Sequence, residues 1–176
     1  MPRSEVLLVG GRSGVGKSTA AEALHDLLVT ADVAHAVIEG DLLDLAHPAP
    51  HVAHPDLRLA ERNLRTMWAE YRELGHHRLV FTNTVSVLDH ERLAAAMGDD
   101  PAVTAVLLRA SDDTTAGRLA RRAGGPVPQA QLAHSTATAR RLDSAAADTV
   151  ARVDTDGRSP LEIAQRLASL TGWLPD

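Results

Sequence analysis

The chain has 176 residues, of which 44% are hydrophobic and 23% charged, with a net charge of −5 and an isoelectric point near 6.0. This composition suits one globular domain, expected over residues 1–176, and an acidic chain is a poor candidate for sequence-independent nucleic-acid binding. The absence of cysteine excludes disulfides, thiolate zinc sites and a cysteine nucleophile, and fits a cytoplasmic protein.

Residues 6–9 form a short continuous apolar run, suited to a strand buried on both faces. Residues 17–30 read as a helix with Ala21, Leu24, Leu27 and Leu28 on one face. A second strand is expected over 34–38, ending at "EGD". The segment 46–55, "AHPAPHVAHP", reads as an irregular loop or flap, and its histidines as solvated loop residues rather than a metal site. Residues 56–74 give the clearest helix, with Leu57, Ala60, Leu64, Met67, Trp68 and Tyr71 at helical spacing. Trp68 and Tyr71 are assigned to core packing. Arg58, Arg62 and Arg65 fall off the stripe and are candidates for recognising an anionic acceptor. A third strand is expected at 79–81, a helix at 89–97 and a fourth strand at 103–108. A helix at 112–122 follows, with Ser111 as its N-cap, then a break at "GGPVP". A helix at 129–147, a fifth strand at 149–153 and a closing helix at 160–170 complete the chain. Strands alternating with helices predict an α/β fold with a five-stranded parallel sheet between helical layers. No apolar run approaches the roughly 18 residues of a membrane span, so no membrane partner is expected.

The stretch "GGRSGVGKST" carries the chemistry. Gly11-x4-Gly16-Lys17-Ser18 satisfies the Walker A pattern and lies between a strand and a helix, as that motif requires. Gly14 and Gly16 let the backbone curl so that its N–H groups point inward, and the helix N-terminus adds a favourable partial charge. Gly11, Ser13, Gly14, Val15 and Gly16 thus form the expected nucleotide cradle. Lys17 is expected at the β- and γ-phosphates of ATP, Ser18 on Mg²⁺ and Thr19 at the α-phosphate. A dinucleotide fingerprint fits less well, because its third glycine position is Thr19 and it leaves Lys17-Ser18 unexplained.

With "IEGDLLD", "RLARR" and "VDTDGRSP", this loop resembles the small P-loop kinases of the nucleoside-monophosphate-kinase-like group. That group includes adenylylsulfate kinase, gluconate kinase, chloramphenicol phosphotransferase and tunicamycin-resistance-type proteins. The resemblance implies a three-layer α/β/α P-loop NTPase fold. It implies that Asp41, beyond the second strand, faces the acceptor hydroxyl; the residue-level alternative is an Asp capping a short helix at "LLD". It implies that Arg118 flanks the adenine and Arg122 approaches the phosphates, as part of a lid over residues 118–141. Thr155, Gly157 and Arg158 would lie at the adenine edge.

The chain departs from the group at two places. The third strand ends in "TNT", so Thr82 or Asn83 stands where many P-loop ATPases carry an aspartate for magnesium. This argues against a mechanical ATPase or a GTPase switch. The "EGDL" run also differs from the "DGDN" of adenylylsulfate kinases. The expected activity is transfer of the γ-phosphate of Mg·ATP to a small-molecule acceptor, a metabolite or an antibiotic. The alternative is a non-catalytic nucleotide-binding regulator or a drug-sequestering resistance protein. The acceptor and the oligomeric state are not specified by these residues.

Overall fold

The computed structural model describes residues 2–175. Five parallel strands form one sheet: β1 (Glu5–Gly10), β2 (Ala36–Glu39), β3 (Arg78–Thr82), β4 (Ala102–Arg109) and β5 (Ala151–Asp154). Their order is β2-β3-β1-β4-β5, which puts β1 at the centre. Alternate residues of β1 enter two different cores. Leu7 and Val9 pack with Leu24, Leu28 and Leu167, while Val6 and Leu8 pack with Leu64, Trp68 and Phe81. Burial on both faces is why this strand reads as an unbroken apolar run.

The helices are α1 (Lys17–Thr30), α2 (Pro50–Ala53), α3 (Leu59–Glu73), α4 (His90–Met97), α5 (Asp112–Ala123), α6 (Gln129–Ala145) and α7 (Pro160–Thr171). α1 and α7 cover one face of the sheet, and α3 and α4 cover the other. The architecture is therefore the three-layer α/β/α arrangement expected from the sequence. Local chemistry sets several ends. Ser111 caps α5 by accepting from Thr114 N–H, and Ser159 and Glu162 form a reciprocal capping box at α7. Trp68 is fully buried, and its indole N–H donates to Asp99 at 3.1 Å.

Two expected elements differ. The helix expected over 56–74 is broken: a 3-10 turn spans Pro55–Leu57, Arg58 adopts a left-handed conformation (φ 47°, ψ 52°), and α3 starts at Leu59. The apolar stripe runs on through Leu57 and gives no sign of the break. The segment 46–55 is not wholly irregular, since it contains the single turn of α2.

Candidate functional site

The loops that follow β1, β2 and β3 meet at the C-terminal edge of the sheet, where ligands of open α/β folds bind. There they border a cavity of about 790 Å³. The loop after β1 is shaped by its glycines: Gly11, Gly14 and Gly16 have φ of 145°, 83° and 105°. A Cβ on Gly14 would stand 2.8 Å from Leu119 Cγ, so this position needs glycine for space as well as conformation. The turn delivers Gly16 as the N-cap of α1, whose first residues, Lys17 to Thr19, line the cavity.

Lys17 is buried. Its ammonium donates to Gly11 O at 2.9 Å and to Thr84 Oγ1 at 3.4 Å, and lies 3.6 Å from Asp41 Oδ2. Burial pushes its pKa below the ordinary 10.5, and Asp41 opposes that shift. Asp41 lies in the 3-10 turn Gly40–Leu42 directly after β2. It does not cap that turn. Its carboxylate instead accepts from Asn83 Nδ2 at 2.9 Å, from the Thr84 backbone N–H at 3.0 Å and from Thr84 Oγ1 at 3.3 Å. Asn83 therefore orients the carboxylate of the neighbouring strand's loop. Asp41 remains 40% exposed, and with Glu39 it lines the cavity.

The rest of the lining comes from α5, the loop after β5 and the start of α7, with α6 bracing the phosphate loop from outside the cavity. Arg118 donates to Val15 O at 2.7 Å, Thr155 Oγ1 at 2.9 Å and Thr155 O at 2.9 Å. Arg122 donates to Ser13 Oγ at 3.3 Å, and Ser135 on α6 donates to Ser13 O at 3.2 Å. Arg118, Arg122 and Arg158 line the cavity. Thr155 does not: it is fully buried and donates to Val15 O at 3.1 Å. Its place is to hold Arg118 and the phosphate loop together. Arg58, Arg62 and Arg65 line a separate cleft of about 320 Å³ with Arg92 and Glu61, which shares no residue with the larger cavity.

Sequence reasoning missed Glu39, Thr84, Arg12 and Ser135. Thr84 was findable, since a polar residue just beyond a buried strand lies on the ligand-binding edge. Arg12 carried no signal, because a charged residue in a glycine-rich loop reads as solvated. It is in fact buried, paired with Asp112 and donating to Ala110 O at 2.8 Å, and Thr136 of α6 donates to the same Asp112 at 2.9 Å. These bonds tie the phosphate loop to the start of α5 and to α6.

The donors suit a magnesium ion. Ser18, Glu39 and Asp41 offer hard oxygens to one cavity. Among the described residues no group of three or more His, Asp or Glu forms a metal cage. Mg²⁺ commonly needs no such cage, because it keeps waters and takes phosphate oxygens.

Residues 6–142 match a family model described as an AAA domain (AAA_33). The chain belongs to this AAA domain family. A search of curated proteins finds no match. Among solved structures, a gluconokinase from Sinorhizobium meliloti 1021 is 19% identical, with 97% of this chain and 94% of that one covered and a TM-score of 0.65. The tunicamycin resistance protein of Deinococcus radiodurans is 21% identical, with 99% and 100% covered and a TM-score of 0.65. APS kinase of Mycobacterium tuberculosis, in complex with AMPPNP and APS, is 24% identical, with 97% and 98% covered and a TM-score of 0.57. At such identities the likeness concerns the fold, and it matches the P-loop small-molecule kinase group named from the sequence.

Proposed function

We propose that the protein transfers the γ-phosphate of Mg·ATP to a hydroxyl of a small-molecule acceptor, acting as one kinase-like domain with residues 118–141 as its lid. The observation that carries this reading is the pairing of Lys17 and Asp41, 3.6 Å apart, at the mouth of a glycine-rich phosphate cradle. A protein that only stored or sensed nucleotide would need the lysine but not the oriented carboxylate. Kinases among the structures of this fold, including the APS kinase in complex with AMPPNP and a shikimate kinase in complex with shikimate, support the same class.

In this reading the loop amides from Ser13 to Thr19 bind the phosphates. The Lys17 ammonium leaves Gly11 O and Asp41 for the β- and γ-phosphate oxygens. Ser18 would hold Mg²⁺, which would supply positive charge against the phosphate oxygens. Asp41, fixed by Asn83 and Thr84, accepts the proton of the acceptor hydroxyl. As that oxygen bonds to the γ-phosphorus, the bond from phosphorus to the β–γ bridging oxygen breaks and ADP leaves. Arg122, at the lid side of Ser13, adds positive charge where the phosphate oxygens move. Arg118 from the lid and Arg158 from the loop after β5 flank the base.

The test is Asp41→Asn. Transfer should fall by about 10²–10⁴-fold, the usual worth of a positioned base, with ATP affinity near wild type. Products are read by mass spectrometry from mixtures of protein, Mg·ATP and a panel of metabolites and antibiotics. Near-wild-type turnover in Asp41→Asn would remove Asp41 from the mechanism. Tight ATP binding without any phosphorylated product would favour a sequestering or regulatory protein instead.

A further inference from the structure

Arg58, Arg62 and Arg65, which lead into and run along α3, meet Arg92 of α4 across a cleft of about 320 Å³. The other charged groups lining it are two carboxylates, Asp56 and Glu61. Glu61 is divided between two arginines: Oε1 accepts from Arg92 Nε at 3.0 Å, and Oε2 lies 3.8 Å from Arg58 Nη1. Asp89, outside the lining, stands 3.2 Å from Arg92 Nη1. Counting Asp89, four guanidinium groups face three carboxylates. Arg62 and Arg65 are exposed, and among the described residues neither guanidinium pairs with a carboxylate or donates a hydrogen bond. Arg65 Nη1 comes within 3.9 Å of where a Cβ on Gly98 would stand, at the end of α4. A helix C-terminus offers it a partial negative charge at most.

Stability does not account for this cluster. Arg62 and Arg65 stand three apart on α3, so they are neighbours on one helix face and repel each other. Exposed ion pairs such as Arg58 with Glu61 contribute little. The nucleotide cavity does not account for it either, because the two share no residue. Guanidinium forks match the oxygens of carboxylates and phosphates. One fork fills both oxygens of a carboxylate. A terminal phosphate presents three oxygens and carries close to two charges, so it suits two unpaired forks side by side. The positive surplus is confined to one small cleft on a chain of net charge −5, so a long polyanion such as nucleic acid would be repelled by the rest of the surface.

We infer that the cleft between α3 and α4 is a second anion site, apart from the nucleotide cavity, that binds a small phosphate-bearing molecule through Arg62 and Arg65 with Arg58 and Arg92 beside them. The inference does not depend on whether the protein transfers phosphate. The test starts from protein saturated with Mg²⁺ and a non-hydrolysable ATP analogue, so that the nucleotide cavity is filled. It is titrated calorimetrically at low salt with pyrophosphate, inorganic phosphate and acetate, with Mg²⁺ matched in cell and syringe. One further pyrophosphate should bind per chain, more tightly than phosphate and at least about tenfold more tightly than acetate. Arg62→Gln combined with Arg65→Gln should weaken that binding by about tenfold or more and leave the affinity for the nucleotide analogue unchanged. Glu61→Gln should act in the opposite direction and tighten it, because it frees Arg58 and Arg92 from their shared carboxylate. Arg166→Gln, at an exposed position of α7 outside the cleft, should change it by less than about twofold. The inference is overturned if no anion binds once the nucleotide cavity is filled, or if acetate matches pyrophosphate. It is also overturned if Arg166→Gln weakens binding as much as the double variant does, or if Glu61→Gln weakens it.

Discussion

The two walls of the cleft are held in place by different means. On the phosphate-loop wall, Arg12 and Lys17 are buried charges with every contact made to another element or to the loop itself. Arg118, Arg122, Ser135 and Thr155 brace the same loop from three further elements. On the flap wall, Asp41 is fixed by Asn83 and Thr84, and Asn63 donates to Leu43 O, but beyond them short turns leave Leu45 and Val52 in solvent. A triphosphate has one geometry, so the groups that receive it gain from rigid support. In the proposed reading an acceptor would meet the looser wall, a loop that can change without disturbing the core.

The largest effect expected on this contrast is at Lys17. Lys17→Ala should lower turnover by about 10²–10³-fold and also weaken ATP binding, because in the proposed mechanism it removes a donor aimed at the developing phosphate charge. The fold should survive, since the variant removes the desolvation cost of a buried ammonium along with its bonds. Calorimetric ATP affinity, turnover and thermal melting together check this. Full turnover in Lys17→Ala would show that the rigid wall is scaffold only.

Gly40→Ala probes a point where the flap wall meets the core. A Cβ there would lie 2.7 Å from Phe81 Cε1 and 2.8 Å from Thr82 O, so the ring or the strand must move. Overpacking of this kind costs about 1–3 kcal/mol. It should also carry Asp41 off Thr84, so turnover should fall with ATP affinity retained. Denaturant titration and turnover measure the two effects. A variant as stable and active as wild type would mean that Asp41 is not anchored through this glycine.

The same contrast explains what could be read from the sequence. The phosphate loop, α1 at Lys17–Thr30 and the Ser111 cap follow from local rules, because glycine spacing, helical periodicity and a serine before a helix each act within a few residues. The order β2-β3-β1-β4-β5 brings Asp41 to Thr84 across a separation of 43 residues, and no local pattern encodes that. Arg12 was invisible for a related reason: its partners, Ala110 and Asp112, lie about a hundred residues away. The break at Arg58 escaped because hydrophobic spacing reports which face is buried, not where the backbone turns.

A smaller effect is expected where the loop wall is tied to α5. Asp112 accepts from Arg12 first and from Thr136 second, and these bonds hold its pKa below the ordinary 3.8. A depressed carboxylate pKa stabilises the fold above its unfolded value, and that contribution is lost as pH falls through the folded value. Asp112→Asn should therefore cost about 1 kcal/mol at neutral pH, discounted for the exposure of Asp112. The difference from wild type should shrink as pH drops below 3.8. Denaturation curves across that range check the sign. A difference that persists in acid would mean that Arg12 is held by packing and by Ala110 O rather than by charge.

The smallest effect on folding should come from the flap, where Leu45→Ser gives the sharpest separation of the two walls. Leu45 is 74% exposed, so removing its side chain should change stability by no more than about 0.5 kcal/mol. The same substitution removes an apolar side chain from the loop after Asp41, which in the proposed reading borders the acceptor. The acceptor's KM should rise with kcat unchanged, the pattern of a contact made equally in the ground and transition states. A fall in kcat at constant KM would place Leu45 among the groups that position Asp41, and the flap would then belong to the rigid machinery. Stability, KM and kcat measured on one variant thus decide whether the flap reads the acceptor or supports the chemistry.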